Sequence, residues 1–129
     1  MEQIKDNRTS LAIGAVRVLR LAEEYEKLGY LVLTNPETHS GVDLVIISLP
    51  DGRIHKVIEV TNWKDGHWKM DSDRFDRYVA SLTYFEIIDG IELEMVVTSL
   101  DNLTAKQADE LKKNHIHVTV RPVQDVESE

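Results

Sequence analysis

The chain has 129 residues, of which 42% are apolar and 29% charged, so we expect one domain of ordinary globular composition rather than two domains or a disordered chain. The absence of cysteine excludes disulfides and thiolate metal sites, and the apolar runs are too short to span a membrane. The formal net charge of −8 argues against nonspecific nucleic-acid binding, unless the basic residues share one face or a dimer concentrates them.

The amino-terminal part of the chain predicts a helix rather than a signal peptide. Met1 to Arg8 is polar and carries charges of both signs, unlike a signal peptide, and the absence of cysteine fits a cytoplasmic protein. Apolar residues then recur at helical spacing, with Thr9 and Ser10 as candidate caps and Gly29 as a stop signal. We therefore predict a helix from about Ser10 to Leu28.

Three strands follow in close succession. The segment Tyr30 to Thr34 is rich in residues that favour a pleated surface. The segments Val42 to Ser48 and Arg53 to Thr61 flank Leu49-Pro-Asp-Gly52, and Pro-Asp-Gly is typical of a tight turn. These two segments predict an antiparallel β-hairpin.

The second half of the chain alternates helices and strands. Ser72 is a candidate cap for a helix to about Phe85, and a strand is expected from Glu92 to Ser99. A helix from Thr104 to Asn114, with capping-box spacing between Thr104 and Gln107, leads to a last strand from Ile116 to Val120.

This order of elements predicts the fold class. We expect a single α/β domain over residues 1–122, with a mixed sheet of about five strands and helices on both faces. Residues 123–129 form an acidic tail.

Two carboxylates interrupt the apolar strands of the predicted hairpin. Asp43 stands between Val42 and Leu44, and Glu59 lies in the run that ends at Thr61. A carboxylate in a buried strand is unfavourable unless it is paired, hydrogen-bonded or bound to a cation.

A divalent cation bound between Asp43 and Glu59 would relieve their mutual repulsion. Mg²⁺ prefers oxygen ligands, typically uses one or two carboxylates, and supports metal-assisted hydrolysis of phosphodiesters. The alternative is that both carboxylates meet solvent or a basic residue such as Lys56 or Arg53, without a function.

The arrangement Gly41-Val-Asp43-Leu-Val, a hairpin, then Val57-Ile-Glu59-Val-Thr61 resembles the core of the PD-(D/E)XK nuclease superfamily. This superfamily includes restriction endonucleases and archaeal Holliday junction resolvases. The resemblance covers residues 10–99, and the two acids are 16 residues apart, which suits the family's hairpin. It implies a restriction endonuclease-like fold in which Asp43 and Glu59, together with Val60, form a site for Mg²⁺ or Mn²⁺.

The chain departs from the pattern of this family in two places that bear on catalysis. Thr61 occupies the usual lysine position and can neither carry the positive charge nor act as an ordinary general base. Lys64 could supply the charge instead, so the candidate catalytic set is Asp43, Glu59, Thr61 and Lys64. Many members place a glutamate in the first helix, where this chain has Arg17 and Val18.

Two features after Glu59 favour contact with nucleic acid. An aromatic ring beside a cation suits base stacking and phosphate binding, although the tryptophans could equally pack under a loop or form a dimer contact. The two arginines of the following helix could bind phosphate or pair with Asp73 and Asp76. The candidate nucleic-acid-binding residues are Trp63, Lys64, Trp68, Lys69, Arg74 and Arg77.

The expected function is therefore metal-dependent hydrolysis of DNA phosphodiester bonds, and the resemblance implies a homodimer. The main alternative is the same fold with a degraded site, used for protein or nucleic-acid interaction. A small-molecule-binding α/β protein is a third possibility, and it predicts a deep apolar pocket.

Overall fold

Helices and strands alternate along the chain in the computed structural model, which describes residues 2–35, 42–61 and 70–121, with side chains from residue 15 onwards. Two short 3₁₀ helices cover Tyr84–Ile87 and Leu100–Asn102. In chain order the main elements are α1 (Glu2–Lys27), β1 (Leu31–Thr34), β2 (Leu44–Ile47), β3 (Ile54–Val60), α2 (Ser72–Thr83), β4 (Glu92–Val97), α3 (Ala105–Lys113) and β5 (Ile116–Val120).

The five described strands form one mixed sheet in the order β1-β2-β3-β4-β5. The pairs β1–β2 and β2–β3 are antiparallel, as the predicted hairpin requires, and the pairs β3–β4 and β4–β5 are parallel. The carboxyl ends of β3, β4 and β5 therefore meet at one edge of the sheet. A single α/β domain with a mixed five-stranded sheet is confirmed.

Helices cover both faces of the sheet, as predicted. On one face, α1 packs a cluster of apolar side chains that includes Leu21, Leu44, Ile58 and Val96. On the other face, α2 and α3 pack a cluster made of Val42, Val57, Met70, Phe75, Leu82, Leu93, Met95, Val97, Leu103, Leu111 and Ile116. Successive residues of β3 and β4 alternate between the two clusters because strand side chains have a period of two.

The predicted ends of two helices were wrong. Helix α1 begins at Glu2 rather than near Ser10, because the residues before Thr9 include good helix formers that extend the helix through the expected cap. Helix α2 is capped by Asp71 rather than by Ser72, and the Asp71 side chain accepts a hydrogen bond from the Arg74 N–H at 3.2 Å. The capping box between Thr104 and Gln107 is confirmed.

A β-bulge in the hairpin sets which side chains share a face. Ile47 pairs with Ile54, whereas Ile46 pairs with Lys56, so β3 contains one additional residue, His55. His55 stacks on Tyr30, with ring centroids 5.2 Å apart. Beyond the bulge the pairing is regular up to the carboxyl end of β3.

Among the described residues, no helix combines the length and the apolar character that a membrane span needs.

Candidate metal centre

The structure brings Asp43 and Glu59 together at the carboxyl end of β3. Leu44 pairs with Ile58 across β2 and β3, and the next step of this register places Asp43 opposite Glu59. The Asp43 N–H donates a hydrogen bond to Glu59 Oε1 at 3.2 Å, and the Val60 N–H donates one to Asp43 Oδ2 at 2.7 Å. Each acid therefore contacts the strand that carries the other.

The acid pair lies on the face of the sheet that α2 and α3 cover. Glu59 is two residues from Val57, which belongs to the apolar cluster under these helices, so the two side chains point to the same side. Only 4% of Glu59 is exposed, whereas Asp43 is half-buried. Asp43 thus forms the more accessible side of the pair.

Burial and mutual repulsion control the protonation of this pair. Removal from water and the negative charge of Asp43 raise the pKa of Glu59 to about 9, and a hydrogen bond between the two carboxyl groups stabilises the protonated form. At neutral pH the protonated form of Glu59 is therefore favoured. The proton reduces the charge of a pair that would otherwise carry two negative charges.

The basic residues named as alternative partners do not neutralise the pair. Lys56 points to the α1 face, where its Nζ lies 3.0 Å from Glu94 Oε1 and 3.0 Å from the Tyr25 hydroxyl. Arg53 precedes β3 and lines a depression at the other end of the sheet. The interpretation in which Lys56 or Arg53 pairs with Asp43 and Glu59 was therefore wrong.

Helix α2 brings a tyrosine and an arginine to the pair. Burial raises the pKa of the Tyr78 hydroxyl, the nearby Arg74 lowers it, and the carboxylates of Glu59 and Asp43 raise it further. Arg74 and the two acids therefore all lie close enough to the Tyr78 hydroxyl to shift its pKa. A phosphate contact of Arg74 stays a prediction, and Tyr78 was missed. Its position one helical turn after Arg74, beside the buried Phe75, was the available signal.

Thr61, in the usual lysine position, is committed to the backbone of β4. It is 1% exposed, and both its hydroxyl and its N–H donate to the Val96 carbonyl, at 2.8 and 2.9 Å. Its own carbonyl accepts a hydrogen bond from Arg17 Nη2 at 3.0 Å. Arg17 also donates to the Arg121 carbonyl at 2.8 Å, so this buried arginine connects α1 to the ends of β3 and β5.

Val60 adds a backbone oxygen to the same side of β3. Its N–H points towards Asp43, and the N–H and C=O of one strand residue point in the same direction. The Val60 carbonyl therefore points towards β2, the strand that Asp43 directly precedes. This geometry is compatible with the expected place of Val60 in a metal site.

Several predicted nucleic-acid-binding residues lie outside the described residues, namely Trp63, Lys64, Trp68 and Lys69. Arg77 is exposed on α2, and its contact with nucleic acid stays a prediction.

The chemistry of this site fits a hard divalent cation. Within the part of the chain that the structure describes, no group of three or more His, Cys, Asp or Glu side chains gathers. Mg²⁺ does not require such a group, since one or two carboxylates are usual and water and substrate phosphate supply the other ligands. Asp43, Glu59 and the Val60 carbonyl provide such a set, and a cation can replace the proton that Glu59 holds.

Comparison with known proteins adds no family to this geometry. No protein-family model, no curated protein and no solved structure matches the chain. The likeness to PD-(D/E)XK nucleases therefore depends on the residues of the motif and on their arrangement, and the nuclease assignment is a proposal.

A depression of about 620 Å³ lies at the opposite end of the sheet from the acid pair. Its lining mixes polar residues, such as Asp51 and Arg53, with apolar ones, such as Ile54 and Ile88. A small-molecule-binding protein was expected to have a deep apolar pocket, and this depression has a different character.

Proposed function

We propose that the chain is a Mg²⁺- or Mn²⁺-dependent nuclease of the PD-(D/E)XK type that hydrolyses DNA phosphodiester bonds. The observation that carries the proposal is the Asp43–Glu59 pair: two acids from neighbouring strands, one buried and one half-buried, each hydrogen-bonded to the strand that carries the other. A protein gains no stability from burying two like charges, so such a pair is better explained by a cation than by packing.

The acid pair and one backbone carbonyl would hold the cation. Asp43 is oriented by the Val60 N–H, Glu59 is fixed by its burial in β3, and the Val60 carbonyl faces the same side. When bound, the cation would lower the pKa of a coordinated water and neutralise charge on the scissile phosphate. Glu59 would have to lose its proton to bind the cation as a carboxylate.

Arg74 and Tyr78 would contact the phosphate backbone beside the acids. A guanidinium binds phosphate through two parallel hydrogen bonds, and Arg74 lies close enough to Tyr78 to lower the pKa of its hydroxyl. Arg74 also lies in the first turn of α2, where the helix dipole favours a bound anion. This arrangement supplies positive charge next to the acids without a lysine at position 61.

The test compares Asp43→Asn and Glu59→Gln with Asp51→Asn, an exposed acid at the opposite end of the sheet. Each change replaces a carboxyl group by an amide of nearly the same shape, which cannot bind a cation as a carboxylate does. We expect the first two variants to lose Mn²⁺-induced thermal stabilisation and Mn²⁺-dependent cleavage, whereas Asp51→Asn keeps both.

The substrates should include supercoiled, linear, single-stranded and branched DNA together with RNA, each with Mn²⁺ and with chelator. Circular dichroism checks that every variant is folded. Cleavage that persists undiminished in both site variants would remove Asp43 and Glu59 from the mechanism.

A noncatalytic module with the same fold is the second candidate, and Thr61 favours it. The Thr61 hydroxyl is buried and donates to Val96, so position 61 supplies neither a base nor a charge. This candidate predicts a folded wild-type chain that cleaves none of the substrates. If the wild-type chain does cleave, Lys64→Ala tests the relocated lysine that the resemblance suggests: a loss much smaller than that of Glu59→Gln would assign Lys64 to binding or to no role.

A further inference from the structure

Strand β1 is an edge strand with an apolar character that such strands usually lack. It stands at one end of the strand order, and its four residues carry no charge. Leu31 and Leu33 are 46% and 51% exposed, on the face of the sheet opposite α1. Edge strands are commonly protected by charge or proline, because a bare apolar edge is a template for pairing with another strand.

The hydrogen-bond pattern shows which backbone groups of β1 point away from the sheet. The Asn35 N–H donates to the Asp43 carbonyl at 3.0 Å, so residue 35 points towards β2. Because backbone groups alternate along a strand, the N–H and C=O groups of Leu33 and Leu31 also point towards β2. Those of Val32 and Thr34 point away from the sheet. Among the described residues, no strand pairs with this outer side.

We propose that two copies of the chain pair through β1, antiparallel, about a twofold axis at Val32. In this register Val32 faces Val32 of the partner subunit, and the two exchange a pair of backbone hydrogen bonds. Leu31 faces Leu33 of the partner subunit, and the reciprocal contact repeats on the other side of the axis. The four exposed leucines then form one continuous apolar strip across the dimer.

A second copy suits this edge better than an unrelated strand because the edge is self-complementary. The outward groups of Val32 match their own equivalents, and each exposed leucine meets a leucine. A twofold contact also closes on itself, so pairing stops at two chains. The net charge also favours contact through β1. Two chains with a net charge of −8 each repel least where neither presents a charged side chain, and β1 has none.

The contact is small, which determines how the dimer should behave. One four-residue strand and two half-exposed leucines per chain fall at the low end of protein interfaces, below about 1,200 Å² in total. We therefore expect a reversible dimer whose population rises with protein concentration.

The dimer would place both acid pairs on one face of a continuous ten-stranded sheet. From the strand spacing and the rise per residue, the two Asp43 side chains would be roughly 25 Å apart. The idea that these two acid pairs make two cuts in one substrate rests on the proposed function. The pairing through β1 does not rest on it.

Disulfide cross-linking tests the register directly, because the chain has no cysteine of its own. Residues 31 and 33 would face each other as a non-hydrogen-bonded pair, whose Cα separation suits a disulfide. We expect a mixture of Leu31→Cys and ¹⁵N-labelled Leu33→Cys chains to form mixed disulfide dimers under oxidation, detected by intact mass. Either variant alone should give at least tenfold less dimer, as should Leu19→Cys, an exposed leucine of α1.

Sedimentation without metal or nucleic acid gives the second test. Wild-type protein should show a concentration-dependent dimer, and Leu33→Lys should raise its dissociation constant at least tenfold while Leu19→Lys leaves it unchanged. The proposal would be overturned by a wild-type chain that stays monomeric at all concentrations, or by an unchanged dimer dissociation constant in Leu33→Lys. It would also be overturned if Leu19→Cys cross-linked as well as the Leu31→Cys and Leu33→Cys mixture. Neither test involves metal binding or cleavage, so failure of the dimer proposal would be distinguishable from failure of the proposed function.

Discussion

At the scale of single residues, the raised pKa of Glu59 makes the stability of the metal-free protein depend on pH. The pKa of Glu59 is raised to about 9 from an ordinary value of 4.5. The folded state therefore holds a proton that the unfolded chain loses once the pH exceeds 4.5. Stability is fully present below that pH, falls as the pH rises towards 9, and then levels off.

We predict that urea unfolding at pH 6 and pH 9 will give a lower free energy of unfolding at the higher pH. The slope is at most about 1.4 kcal/mol per pH unit for one proton. Glu59→Gln cannot ionise and should flatten the dependence, whereas Asp51→Asn should keep it. A wild-type chain equally stable at both pH values would mean that Glu59 is ionised in the folded protein.

At the scale of the elements, Thr61 marks where β3 ends and how tightly that end is held. Its hydroxyl donates to the Val96 carbonyl, which also accepts the Thr61 N–H, and only 1% of the residue is exposed. Thr61→Val should therefore cost about 1 kcal/mol, the usual net contribution of one hydrogen bond. Thr61→Lys would bury an ammonium group and should cost several times more.

Thermal and urea unfolding of these two variants checks the prediction, with cleavage measured beside them. We expect Thr61→Lys to be the less stable variant and to show no gain in cleavage, even though it restores the lysine of the motif. A stable Thr61→Lys chain with faster cleavage would show that position 61 opens into the site after all.

Local patterns predicted the strands and the acid pair because both depend on short-range rules. The Pro-Asp-Gly turn and the alternation of strand side chains place Asp43 and Glu59 on one face of neighbouring strands, 16 residues apart. Other features depend on distant contacts. Arg17 is bonded to carbonyls that lie 44 and 104 residues further along the chain, and no local pattern indicates such partners. The spacing of Tyr78 from Arg74 was a local signal, but its proximity to the acids comes from the packing of α2 over β3.

At the scale of the whole molecule, the net charge bears on the proposal that DNA is the substrate. The chain has 23 acidic residues against 15 Lys and Arg, so DNA is repelled at long range. In the proposed function, a divalent cation at the acid pair would replace one proton by two positive charges at the point where phosphate would approach. Arg74 would then add to the positive charge that the cation supplies.

We predict that a DNA duplex binds more tightly in Ca²⁺, which prefers oxygen ligands, than in chelator, as measured by fluorescence anisotropy at constant ionic strength. Asp43→Asn should remove the difference, because it weakens cation binding at the site. Arg74→Ala should lower the affinity in Ca²⁺ and reduce its salt dependence by about one counterion. Equal affinity in Ca²⁺ and in chelator would mean that the charge of the acid pair does not affect DNA binding. DNA would then bind to a basic surface elsewhere on the protein.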